Sequence, residues 1–237
     1  MRPIYQIYPG EITAKGKAYL VIEQCRADEL DEVLAQGREK LLSLGATELF
    51  VTSHDPAAPL EEGCREGCRL EFVRDMLILQ RDLSQLPGQC QRLSMEPLTR
   101  ERGGAWLALH NECFFEMPNS ATYGPQDLDR ALEEGHRCGF AVVNGVRIGV
   151  YELDLTQEIP EIEGIALHKD VRGQGLGREL LRGAMALLGE AGFDQCKLLV
   201  ASDNESAFSL YRRTGFKAAG IQSKWFRMLP NRVKTSG

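Results

Sequence analysis

The stretch "HKDVRGQGLGREL", residues 168–180, places Gly173, Gly175 and Gly177 at alternate positions. An apolar, strand-like run, "EIEGIALH" (161–168), precedes it. A helical pattern follows, with Leu180, Ala184, Leu187, Leu188 and Ala191 recurring on one face. A glycine inside a helical turn is worth up to about 1 kcal/mol less than an alanine, so three of them at a helix start need a reason. A helix N-terminus offers unpaired N–H groups and roughly half a positive charge, and glycines let an anion approach the backbone closely. With Arg172 and Arg178 beside it, the loop reads as a cradle for a diphosphate. The common alternatives do not fit: there is no G-x-x-x-x-G-K-[ST]. A dinucleotide fold would place its glycine turn after the first strand, whereas this loop lies deep in the chain.

The flanking chain is organised around that loop. "RLSMEPLTRE" predicts a short strand, and "GAWLALHNECFFEM" a helix with Trp106, Leu109, Cys113 and Met117 near helical spacing. A Pro/Asn/Ser/Gly-rich loop and a short helix, "PQDLDRALEEG", follow. "CGFAVVNGVRIGVYELDL" predicts a hairpin turning at Asn144-Gly145. Beyond the glycine loop and its helix come a buried-strand run, "QCKLLVAS", a capped helix, "DNESAFSLYRRTGF", and a closing strand, "KAAGIQSKWFRML". The order β-α-α-β-β-β-α-β-α-β predicts an α/β architecture, a mixed sheet with helices on its faces.

The first ninety residues echo this pattern. "GREKLLSLGATELFVTSHD" (37–55) repeats the helix, glycine turn, apolar strand and acidic turn of "GAMALLGEAGFDQCKLLVASDN" (183–204). Where the second copy carries the glycine loop, the first has "EQCRADELDEVL".

A chain of 237 residues, 43% hydrophobic, buries an ordinary core as one large domain or two small ones. Its net charge of −6 argues against a nucleic-acid or membrane-surface partner. No run approaches the length of a membrane span, and the N-terminus has no apolar signal region. Seven scattered cysteines read as free thiols in a reducing, cytoplasmic compartment. Cys64 and Cys68 could share one helical turn, but no second pair at zinc spacing accompanies them, so no metal site is expected.

Taken together, the motifs resemble the GCN5-related N-acetyltransferase (GNAT) family. Its acyl-CoA signature, Arg/Gln-x-x-Gly-x-Gly/Ala, is matched by Arg172-Gly173-Gln174-Gly175-Leu176-Gly177. "VASDNESAFSLYRRTGF" resembles its second signature. The resemblance covers about residues 92–229; the N-terminal half departs from the usual pattern. The whole therefore resembles tandem-type members, with residues 1–90 a degenerate half-domain lacking the acyl-CoA loop and 91–237 a catalytic domain.

The resemblance implies acetyl-CoA, or another acyl-CoA, as acyl donor and a small-molecule amine as acceptor, in a monomer or homodimer. Its pantetheine arm would pair with the strand backbone at Ile165, Ala166 and Leu167. Its diphosphate would lie on the amides of 172–178, from Arg172 through Gln174 and Leu176 to Arg178. Asn204 would bond the arm, and Ala207 would be small to let it pass. Tyr211 maps to the proton donor for the leaving thiolate; a tyrosine near its usual pKa of about 10 is protonated at neutral pH. Glu161 and Glu163 alternate on the strand and so share a face, which makes both candidates for the base. Glu163 resembles the glutamate of aminoglycoside-type members and is preferred, while Glu161 matches the offset of histone-type members. The acceptor region, about 110–125, offers Glu112 and Glu116 for a cation, and Phe115 and Tyr123 for apolar or cation–π contact. His110 reads as a structural or surface histidine. Rival readings are a protein N-terminal or lysine acetyltransferase, and a non-catalytic acyl-CoA sensor.

Overall fold

The computed structural model describes residues 2–84, 92–117 and 120–231. The expected boundary at residue 90, and Cys90 with it, lie outside the described residues. The described residues form two compact units, one of residues 2–76 with 221–231 and the other drawn from residues 77–84, 92–117 and 120–220. The chain's last strand thus divides between them instead of belonging wholly to the C-terminal unit.

In the first unit, β1 (Ile4–Tyr8) runs antiparallel to β2 (Lys17–Gln24), with a one-turn helix, α1 (Ile12–Lys15), between them. The crossover helix α2 (Leu30–Ser43) returns the chain to β3 (Glu48–Ser53), which pairs in parallel with β2 over six residues, from Lys17↔Glu48 to Ile22↔Ser53. A short β4 (Gly63–Arg65) forms a hairpin with the start of β5 (Cys68–Asp82). The end of the final strand, β11 (Lys217–Leu229), lies antiparallel to β3 at Phe226↔Val51. Leu30, Val33, Leu34 and Leu41 fall on one face of α2 and are buried against Leu20, Ile22 and Val51. Cys64 and Cys68 therefore lie on paired strands, not on one helical turn, because the Gly67 left-handed turn (φ 81°) folds the segment into a hairpin.

The second unit follows the expected order. β6 (Ser94–Pro97), β7 (His136–Val143), β8 (Val146–Asp154) and β9 (Glu161–Leu167) pair antiparallel in sequence, and β10 (Gln195–Ala201) joins β9 in parallel. Asn144 and Gly145 both have positive φ, 50° and 79°, as a tight two-residue hairpin requires. Helices α3 (Gly103–Phe114) and α4 (Pro125–Ala131) cover one face, burying Trp106 and Cys113 against Phe140, Val150 and Ala166. On the other face, α5 (Leu176–Glu190) buries Leu180, Leu181, Ala184, Met185 and Leu188 against Leu153, Ile162 and Leu198. Leu181 and Met185 are fully buried; Leu187 and Ala191, expected on the core stripe, are only partly covered. Helix α6 (Glu205–Arg213) completes the unit.

Candidate functional site

β9 and β10 are in register at only two pairs, Lys197↔Glu161 and Leu198↔Ile162. Beyond Ile162 the described residues of β9 have no β10 partner, so the strands part and one backbone edge of β9 is left for something else to satisfy. A cleft of about 1200 Å³ opens at this divergence. Ile165, Ala166 and Leu167 form one wall, and Asn204, Ala207, Leu210 and Tyr211 the other. The glycine loop and the first turn of α5 close its end.

Gly173 (φ 77°) and Gly175 (φ 79°) are left-handed, a conformation that side chains resist, and Gly175 is the N-cap of α5. Gly177 is different. A methyl there would meet only ordinary contacts, Leu210 at 3.7 Å and Leu167 at 4.0 Å. The fold does not require that glycine, and an alanine fits too. Leu176 is 7% exposed and packs in the α5 core, so only its main chain faces the loop. The Gln174 carbonyl accepts from Arg92 at 3.1 Å, a contact with no signal in the motif.

Arg172 lines the cleft, but its guanidinium is already engaged. It donates to the Leu167 and Cys113 carbonyls, both at 3.0 Å, and lies 3.7 Å from the Glu116 carboxylate. It ties the end of β9 to the end of α3 before it offers charge to an anion. Asn204 caps α6, its Oδ1 accepting from the Ala207 N–H at 3.2 Å. Arg178 and Arg213 add positive charge to the cleft wall. Burial pushes the Tyr211 hydroxyl up to about 12.

The two candidate bases do not share a simple strand face. β8 and β9 slip register, Glu152↔Gly164 being followed by Leu153↔Ile162, so Glu163 is the extra residue of a bulge. Neither glutamate is among the residues lining the cleft; Glu163 stands two positions before Ile165. Its carboxylate accepts from Arg130 at 3.1 Å. Burial lifts the Glu161 carboxyl above its ordinary range, against the pull of Lys197 at 3.5 Å.

The acceptor residues expected around 110–125 are largely committed elsewhere. Glu112 pairs with His168 at 2.9 Å, and Phe115 stands 56% exposed. Tyr123 is no open wall: its ring stacks on His110 at 3.9 Å. Of this group, only Glu116 lines the cleft. His110, read as structural or surface, is 2% exposed and lies 3.0 Å from the equally buried Glu152. That carboxylate has room because residue 164 is glycine, since a Cβ there would sit 2.6 Å from Glu152 Oε1. The six described cysteines are free thiols. Burial raises Cys113 to about 11 and Cys196 to about 12, which makes them poor nucleophiles.

The model of the acetyltransferase (GNAT) family matches residues 104–216. A mycothiol acetyltransferase from Geodermatophilus obscurus is 34% identical, over 92% of this chain and 76% of its own length. This chain belongs to the GNAT acetyltransferase family. The family's acyl donor is acetyl-CoA. A second mycothiol acetyltransferase, from Clavibacter sepedonicus, is 25% identical over 84% of this chain and 66% of its own length. This GNAT chain spans about half to three-quarters of the curated relatives it matches. Among solved structures, a GCN5-related N-acetyltransferase from Sphaerobacter thermophilus shares the fold with a TM-score of 0.64 at 16% identity, covering 94% of this chain and 75% of that one. No described helix is long and apolar enough to cross a membrane.

Proposed function

We propose that the chain transfers an acetyl group from acetyl-CoA to the primary amine of a small molecule by direct attack. The observation that carries this reading is the divergence of β9 from β10 directly above a glycine-lined helix N-terminus. The free edge of Ile165–Leu167 suits an extended, amide-bearing arm, and the amides from Gly173 to Gly177 suit a diphosphate. Asn204 keeps its amide nitrogen for that arm while its oxygen caps α6.

In the transfer, the amine lone pair forms a C–N bond to the thioester carbonyl carbon, and the C–S bond breaks. Glu163 takes the ammonium proton and Tyr211 gives its phenolic proton to the leaving sulfur. The Leu167 region supplies the N–H that faces the developing oxyanion. The name shared by the two mycothiol acetyltransferases supports a small-molecule acceptor. Isothermal titration with acetyl-CoA tests the reading: saturation at one molecule per chain is expected, and no binding overturns it. The choice of base has its own test. Glu163→Gln is expected to lower kcat about a hundredfold and Glu161→Gln less than tenfold; the reverse order in steady-state assays moves the role to Glu161.

Residues 1–90 we read as a degenerate copy of the same half-fold. Both copies end the crossover helix alike, at Gly45 (φ 93°) and Gly192 (φ 92°). The next N–H in each returns to the helix, Ala46 to Leu41 and Phe193 to Leu188, both at 3.2 Å. The first copy has no slot, because β2 and β3 stay zipped over six pairs. Just past its β3, the Asp55 carboxylate accepts from the N–H groups of Cys25, at the end of β2, and Ala57, both at 2.8 Å. An internal anion thus occupies donors that could otherwise face a ligand. A second acetyl-CoA bound per chain would sink this part.

A further inference from the structure

A chain of contacts, ring stacking and hydrogen bonds together, runs from the buried His110–Glu152 pair out to Glu163. Asn111 is pinned by the main chain of Tyr123, its Nδ2 donating to the Tyr123 carbonyl at 2.9 Å and its Oδ1 accepting the Tyr123 N–H at 2.8 Å. That oxygen can therefore only accept from His110 Nδ1, 3.2 Å away, which places a proton on Nδ1. The other ring nitrogen faces Glu152 Oε1 at 3.0 Å, so a proton lies between those two atoms as well. The Tyr123 hydroxyl accepts from Arg130 Nη2 at 3.4 Å, and its ring stacks on that of His110 at 3.9 Å. Burial first, then the Glu152 charge, raises the Tyr123 hydroxyl far above its ordinary value, so it stays protonated. The second arm of the Arg130 fork donates to Glu163.

Such a network is more than core filling. Two titratable side chains, each 2% exposed, would be costly to bury for packing alone. Tyr123 is held at its main chain by Asn111 and at its ring by His110. Arg130 is 44% exposed and would sample many rotamers unless one arm were fixed. Glu163, as the bulged residue of β9, lacks the cross-strand neighbour that would otherwise orient it.

We propose that Tyr123 and Arg130 are positioning residues for Glu163, with the buried His110–Glu152 pair as their anchor. This inference rests on the reading of Glu163 as the base. The fork of Arg130 is the essential part, because one arm reads the anchored hydroxyl while the other sets the carboxylate, and a lysine ammonium cannot reproduce that geometry.

Epistasis in steady-state kinetics separates positioning from mere stabilisation. Tyr123→Phe and Arg130→Gln should each lower kcat about tenfold, with KM for acetyl-CoA unchanged. Arg130→Lys should recover only part of that loss. In a Glu163→Gln background both substitutions should become silent, because there is no base left to position. Equal losses in the two backgrounds overturn the proposal, since a structural role does not depend on Glu163. If Glu163→Gln itself retains full kcat, the base reading falls and takes this inference with it, an outcome recognisable from that single variant. Should Tyr123→Phe fail to fold, as thermal melting would show, the same comparison is made with Arg130→Lys at its partly exposed site.

Discussion

Gly175→Asp should weaken acetyl-CoA binding at least a hundredfold while leaving the chain folded. Gly175 is the N-cap of α5 at φ 79°, the point where the free amides of the helix converge. Aspartate tolerates a left-handed conformation better than most residues. The atom its Cβ would crowd is Arg92 Nη2 at 3.1 Å, the far end of a flexible side chain. The damage is therefore electrostatic. A carboxylate about 4 Å from a diphosphate charge costs about 1–4 kcal/mol between bulk and protein-surface dielectric, and about 2.8 kcal/mol is a hundredfold in affinity. Gly175→Ala is the control, adding backbone strain without charge, and should bind within about tenfold of wild type. Calorimetric titration of the three proteins reads the result. If Gly175→Asp binds as tightly as wild type, the glycines hold no diphosphate.

Tyr211→Phe should lower kcat about 10²–10³-fold, within the range of a lost general acid, and leave KM for acetyl-CoA within about twofold. The ring stays to line the cleft, so binding survives; only the proton is gone. The pH dependence sharpens the test. Burial raises the hydroxyl from its ordinary 10 to about 12, so the donating form persists as pH rises and is lost only through pH 12. The wild-type rate should therefore show no fall between pH 9 and 10 attributable to this group. Its ionisation also bears on stability. The unfolded tyrosine ionises above pH about 10 while the folded one does not, so stability falls as pH rises past 10. A Tyr211→Phe variant with an unchanged kcat would move the proton-donor role elsewhere.

Much of the architecture was legible from local chemistry. The Asn144-Gly145 turn, the amphipathic stripe of α5 and the left-handed glycines before it are consequences of which backbone angles and which faces those residues allow. So was the cleft's outline, since Ile165–Leu167, Asn204, Ala207 and Tyr211 do line one space. Side-chain commitments were not legible. Arg172 looked like a phosphate ligand, yet two carbonyls and Glu116 claim its guanidinium. Tyr123 looked like an acceptor wall, yet it is stacked on a buried histidine. Arg130 and Glu152 carried no signal at all, because the partners they meet, Glu163 and His110, lie far from them in sequence.

By itself the sequence determined the order of strands and helices, the hairpin, and the place of the glycine cradle. Each of these depends on torsion preferences and on periodicity within a few residues. Only the tertiary structure decided where β9 leaves β10, that Glu163 stands in a bulge, and which carboxylate meets which guanidinium. Those are settled by register and by packing between elements distant along the chain, where a shift of one residue exchanges the two faces of a strand.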